Sequence, residues 1–169
     1  YGHDSNGAGS ITAGTFAWFL NEVRDIHGNV MTLSYTSAGR QVVPASIRYA
    51  AHPATGLSAT HEVRFTWQAR PDLSWDERFG DRIETSQRLS VVEAFTQGNL
   101  VRRYQLAYQP SPMTGRSMLS SVTTIGSDGT TSLPPILLRY SNSFGGWMRS
   151  SDWRTCEASQ GIYLHFVDA

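Results

Sequence analysis

Lysine is missing from this 169-residue chain: all 14 cationic side chains are arginine, set against 14 Asp and Glu for a net charge of +0. Without a basic excess the chain lacks the electrostatic footprint of a nucleic-acid or anionic-membrane binder. Cysteine is nearly missing too, and a lone Cys156 excludes an intrachain disulfide, a cysteine-rich zinc site and a stapled mini-domain. No apolar run approaches the roughly 20 residues of a membrane helix, and no segment sustains i, i+3, i+4, i+7 apolar spacing over three turns. What remains is 40% hydrophobic and 11% aromatic residues, enough to bury a core rather than stay disordered. The missing lysine has two readings, the codon usage of a GC-rich bacterial genome or escape from ubiquitination inside a host cell.

The apolar residues that are present alternate. Phe16, Trp18, Leu20 and Val23 precede Gly28-Asn29, whose tolerance of positive φ suits a tight turn, and Met31, Leu33 and Tyr35 follow on one face. Val42–Tyr49 reads as a strand in which Pro44 belongs at an edge or a strand start. In His61–Gln68 the residues Val63, Phe65 and Trp67 share a face, and 71–81 reads as a polar connection. Thr85–Phe95 and Asn99–Tyr108 form a hairpin about Gln97-Gly98, with Leu100, Arg102, Tyr104, Leu106 and Tyr108 on one face. Arg116–Ile125 leads through Ser127-Asp128-Gly129 to Pro134–Tyr140. The expected fold is all-β: successive antiparallel hairpins forming a β-sheet shell or sandwich, with little helix. The triplets Leu33-Ser34-Tyr35, Ile47-Arg48-Tyr49, Leu106-Ala107-Tyr108 and Leu138-Arg139-Tyr140 echo one another. They fit either ordinary β composition or a repeat in which each hairpin lays its aromatic on a neighbour.

Candidate chemistry is sparse. His3, His27, His52, His61 and His165 have no metal-ligand spacing and read as turn or surface residues. Asp72, Asp76, Glu77 and Asp81 cluster as a paired-carboxylate glycosidase site would, but Arg70, Arg78 and Arg82 are interleaved, so mutual charge satisfaction is the simpler reading. Ser10, Ser90 and Ser117 lack a nucleophile-elbow setting. Cys156, next but one to Arg154, has no motif around it. Arginines are better read as architecture, pairing carboxylates and stacking on rings, with one of Arg102 and Arg103 packing among aromatics. No catalytic, cofactor-binding or metal-binding residue is assigned. Trp75, Trp147 and Trp153 would serve a carbohydrate-binding module if they formed an exposed platform.

The order Trp18-Phe19-Leu20-Asn21-Glu22-Val23-Arg24-Asp25-Ile26-His27-Gly28-Asn29, Leu33-Ser34-Tyr35, Ile47-Arg48-Tyr49, Phe65-Thr66-Trp67, Arg70-Pro71-Asp72, Leu100–Tyr108, Thr114–Leu119 and Leu133-Pro134-Pro135 carries a resemblance. It is similar to the N-terminal domain shared by B components of insecticidal toxin complexes and the Salmonella virulence plasmid B protein, over 15–140. That resemblance implies a non-catalytic β-module of a large secreted toxin, associated with RHS/YD repeats and serving encapsulation or docking. Its implied partners are other parts of the same polypeptide and A and C toxin-complex components. The ADP-ribosyltransferase activity of the virulence plasmid protein belongs to a separate module whose E-x-E motif is absent here. The expected organisation is a loop over 1–14, a β-rich domain over 15–143, and a linker over 144–169 leading into a propeller-type repeat. The apolar run Ile162–Phe166 so close to Ala169 makes the chain read as a segment of a longer polypeptide. The alternative function is a carbohydrate- or protein-binding β-sandwich module; an enzyme would require convergent titratable groups in a pocket.

Overall fold

Turn chemistry sets the strand boundaries. Gln97 and Gly98 sit at φ 50 and φ 80, the paired positive values of a two-residue hairpin whose twist matches its strands. At the turn over Asp25–Asn29, the Asp25 carboxylate accepts from the His27 amide (2.8 Å) and the Asn29 amide (2.9 Å). Gly28, at φ 90, lets that turn approach the next loop, since a Cβ there would stand 3.3 Å from His52 Nε2.

A computed structural model describes residues 8–11, 14–77 and 82–140, and it is all-β. Among the described residues the strands are β1 Ala8–Ile11, β2 Gly14–Trp18, β3 Glu22–Arg24, β4 Val30–Ala38, β5 Gln41–Ala51, β6 His61–Asp76, β7 Ile83–Thr96, β8 Asn99–Pro110, β9 Ser117–Ile125 and β10 Ile136–Leu137. A 3-10 turn, Pro53–Thr55, accompanies them. β3 to β10 form one antiparallel sheet in chain order, and β1 and β2 form a separate ribbon. A sandwich is therefore absent among the described residues, whose strands outside the large sheet form that ribbon alone. No described helix is long and apolar enough to cross a membrane.

Three sequence expectations change. The expected loop over 1–14 contains β1, because small residues there pair with β2. The expected polar connection over 71–81 is strand as far as Asp76, its pairing interrupted between Ala69 and Ser74 rather than ended. Leu100 leaves the face of Tyr104, because a register shift opposite Ala94 and Phe95 inserts Val101 and reverses the alternation. The tail over 144–169, with Cys156, Trp147 and Trp153, lies outside the described residues.

The sheet is continuous only in a central band. β5 meets β6 only over Ser46–Tyr49 and His61–Arg64, and β7 meets β8 only over Val91–Thr96 and Asn99–Gln105. By contrast β4–β5, β6–β7 and β8–β9 pair along most of their lengths. Three hairpin arms thus project from one shared base. Pro44 fits this plan: it lies in the half of β5 that has no β6 partner, an edge in all but name.

Each arm leaves the base at a register shift, between Ser34 and Tyr35, Thr66 and Trp67, and Ala107 and Tyr108. The extra residue falls on the returning strand, at Ala45, Ser90 and Ser120. A bulge takes its carbonyl out of the ladder, and an unpaired carbonyl needs another donor. Trp67 Nε1 donates to Pro44 O at 2.7 Å, Tyr108 Oη to Leu89 O at 2.6 Å and Tyr140 Oη to Leu119 O at 2.8 Å. Tyr35 Oη does the same to Leu20 O at 2.6 Å, ahead of β3. The aromatic on the outgoing strand of the β6–β7 and β8–β9 arms therefore fastens to the preceding arm's bulge, and Tyr140, past β10, fastens to the bulge of β9. This is the hairpin-on-neighbour repeat, with Tyr49 as the exception: it packs edge-on against His61 with ring centroids 5.1 Å apart.

The two faces differ in chemistry. Leu33, Ile47, Val63 and Ala94 are aligned across β4 to β7 on one side, and Phe65, Val92 and Tyr104 on the same side. Ser34, Ser46, Arg64, Glu93 and Arg103 run across the other. Yet among the described residues only Val30 (6% exposed) and Val43 (4%) are buried hydrophobics.

Candidate functional site

The densest side-chain chemistry lies where the β6–β7 and β8–β9 arms face each other. The interruption at 70–73 lets β6 carry Asp72 toward the start of β9, where its side chain is 8% exposed. Arg70 Nη2 stands 2.7 Å from Asp72 Oδ2, and the Ser117 amide donates to the same oxygen at 2.9 Å. The Ser117 hydroxyl donates to Asp72 Oδ1. Arg88 Nη1 in turn donates to Ser117 Oγ at 2.7 Å, and the Arg88 guanidinium lies 4.6 Å from the centre of the Tyr108 ring. The Arg70 guanidinium and then the two Ser117 donors hold the Asp72 carboxyl far below the usual carboxylate range. Burial pushes the Tyr108 phenol up.

A carboxylate so saturated with donors stays ionised and has no proton to give, so it does not suit the general-acid role of a glycosidase. Of the interleaved arginines, Arg70 is the one seen to pair with it, and its other donors come from Ser117. Farther along, Arg82 lies 3.5 Å from Glu84 and stacks 4.2 Å over the Trp75 ring. Arg78 and Asp81 lie outside the described residues. Ser117, read as a serine without a catalytic setting, joins two arms through its amide and hydroxyl; strand pairing alone gives no hint of it.

On the polar face, Glu62 bridges Arg48 (3.0 Å) and Arg64 (2.7 Å), and hydrogen bonding to Arg64 draws its carboxyl below the usual range against the opposing effect of burial. Arg64 also lies 4.2 Å over the Phe95 ring. Arg103 pairs with Glu93 at 2.8 Å. The arginines that stack on rings are thus Arg64, Arg82 and Arg88 rather than Arg102 or Arg103. A shallow groove of about 400 Å³, lined by Thr32, Ser34, Ser46 and Arg48 among others, opens on this face.

Among the described residues the histidines do not converge, and His3 and His165 lie outside those residues. His27 is part of its turn, and His52 Nε2 donates to its carbonyl at 2.9 Å. Among the described residues no three His, Cys, Asp or Glu side chains come together as a metal site would require. The Asp128 carboxyl is pulled down to about 2 by the Thr131 hydroxyl and the Thr130 and Thr131 amides, a self-contained turn.

Comparison with solved structures gives the architecture a context. The chain matches a chain of the TcdB2–TccC3–Cdc42 crystal structure with TM-score 0.67 and 18% identity, over 82% of this chain and 10% of that one. It matches the N-terminal domain of the effector protein SpvB from Salmonella typhimurium strain LT2 with TM-score 0.63 and 15% identity, over 74% of this chain and 56% of that one. The fold is shared with both of these chains. At these identities the likeness is one of backbone, and the chain spans only a tenth of the first neighbour and about half of the second. No family model and no curated protein matches it.

Proposed function

We propose that this chain is a non-catalytic wall module of a large secreted bacterial toxin of the toxin-complex type, serving to enclose or dock a toxic component. The observation that carries the reading is the eight-stranded sheet whose apolar face the described residues leave largely uncovered: among them, two buried hydrophobics are too few for a self-sufficient domain. Such a face suits a module covered by the rest of a larger polypeptide. The fold shared with the two toxin-associated neighbours supports the same class. A-type and C-type toxin-complex components are the partners this reading names, and Asp72, saturated by Arg70 and Ser117, serves structure in it.

The isolated chain should bind an apolar dye such as ANS while keeping its far-UV β signature, and should show no hydrolase or transferase turnover. A dye-silent monomer would overturn the wall reading. So would any activity that disappears in Asp72→Asn.

One observation favours a second reading. Trp75 is 56% exposed, with Arg82 over one face of its ring. An exposed indole is what a carbohydrate-binding module presents. Tryptophan fluorescence titrated with neutral oligosaccharides separates the two: a saturable change lost in Trp75→Ala supports binding, and a flat titration supports the wall.

A further inference from the structure

Backbone pairing stops at Val91 and Gln105 between β7 and β8, and at Arg64 and Ser46 between β5 and β6. Beyond those points the arms are joined by side chains. Across the first seam run the Tyr108 hydroxyl to Leu89 O and the chain Arg70–Asp72–Ser117–Arg88. Across the second run Trp67 Nε1 to Pro44 O and the Gln41 carboxamide. Its Oε1 accepts from the Ser86 amide at 2.8 Å and the Gln87 amide at 3.0 Å, two donors beside the interruption in β6 pairing. A strand ladder opens only by breaking many cooperative bonds; a seam of this kind opens by releasing a few side chains.

We infer that the seam between the β6–β7 and β8–β9 arms is a hinge that opens while the base stays paired, with Asp72 and Ser117 as its bolt. The bolt is well made for the task. Asp72 sits on an interrupted stretch of β6 that can move without tearing ladder bonds, and Ser117 is the first residue of β9. Arg88 gives the open state something to gain: its Nε is buried without a hydrogen-bond partner in the closed seam and becomes hydrated when the arms part. Opening would expose the edge of β7 over Ile83–Ser90 and the edge of β8 over Leu106–Pro110, both unpaired across the seam. A sheet that can part along such lines can change curvature without unfolding.

Amide hydrogen exchange of the whole chain tests this. In Ser117→Ala and Asp72→Asn, exchange within Ile83–Leu89 and Leu106–Met118 should rise tenfold or more, while Val63, Phe65, Val92 and Tyr104 in the base keep their wild-type protection. Ser117→Thr, which retains the hydroxyl, should restore slow exchange. Should protection fall equally in base and arms, the bolt would be ordinary global stability and the hinge would be refuted. Unchanged exchange in both variants, or no rescue by Ser117→Thr, would refute it too.

Discussion

The base and the arms are made of the same kind of strand but are held in different ways. In the base, β5 to β8 exchange ladder hydrogen bonds with both neighbours, and apolar residues such as Val63, Phe65, Val92 and Tyr104 line up across them. In the arms each strand has one ladder partner, and the remaining edge is tied by Trp67, Tyr108, Gln41 or Asp72. The difference teaches that one sheet can combine a cooperative centre with separable ends, provided each bulge carbonyl finds an outside donor.

The comparison can be tested by substitutions that should act on one region only. The largest effect is expected in the base: Phe65→Ala removes a large, half-buried apolar side chain beside Val92 and should cost about 2 kcal/mol, lowering the denaturation midpoint for base and arms together. If only the arms responded, the base would not be the cooperative unit. Tyr108→Phe comes next, since it leaves the Leu89 carbonyl without its donor at a cost of about 1–2 kcal/mol, and limited proteolysis should cut in 83–90 before the base yields.

Acid should loosen the arms less than that. Asp72 and Asp128 have lowered folded-state values, so the stability they supply is full above the unfolded carboxylate value near 4 and is lost as pH falls through the folded values. Asp128 gives up its share by about pH 2, and Asp72 lower still. Between pH 5 and pH 3 only about one pH unit lies below that unfolded value, so the loss is partial. The midpoint should fall over that range, and Asp72→Asn should flatten the fall; an equally steep profile in the variant would remove Asp72 from the account. The smallest effect belongs to Arg24→Ala on the edge strand β3. Its pair with Glu22 is 55% and 45% exposed, so less than about 0.5 kcal/mol should be lost, and 0.5 M salt should erase the difference.

Much of this was legible from residue order. Period-two alternation gave β4, β7, β8 and β9 nearly to their ends, and Gln97-Gly98 and Asp25–Asn29 marked their turns through positive φ and side-chain capping. Interleaved charges pointed to Arg70 with Asp72. The triplets ending in Tyr35, Tyr108 and Tyr140 held the latch pattern, although Tyr49 shares the sequence and not the hydrogen bond. Register shifts were not legible, because an added residue such as Val101 or Ser120 leaves local composition unchanged while turning its neighbours to the other face. The tie between Ser117 and Asp72 was not legible for a related reason: the two are 45 residues apart in sequence.

Sequence alone determined the all-β class, the hairpin order and the neutral arginine–carboxylate character, since these follow from alternation, turn residues and charge counts within short windows. Tertiary structure decided where the ladders stop, which carbonyls the bulges release and which side chains close the gaps. Those outcomes depend on where two separately formed hairpins come to lie against each other, and a hydrogen bond across such a gap is set by a few tenths of an ångström that no local pattern encodes.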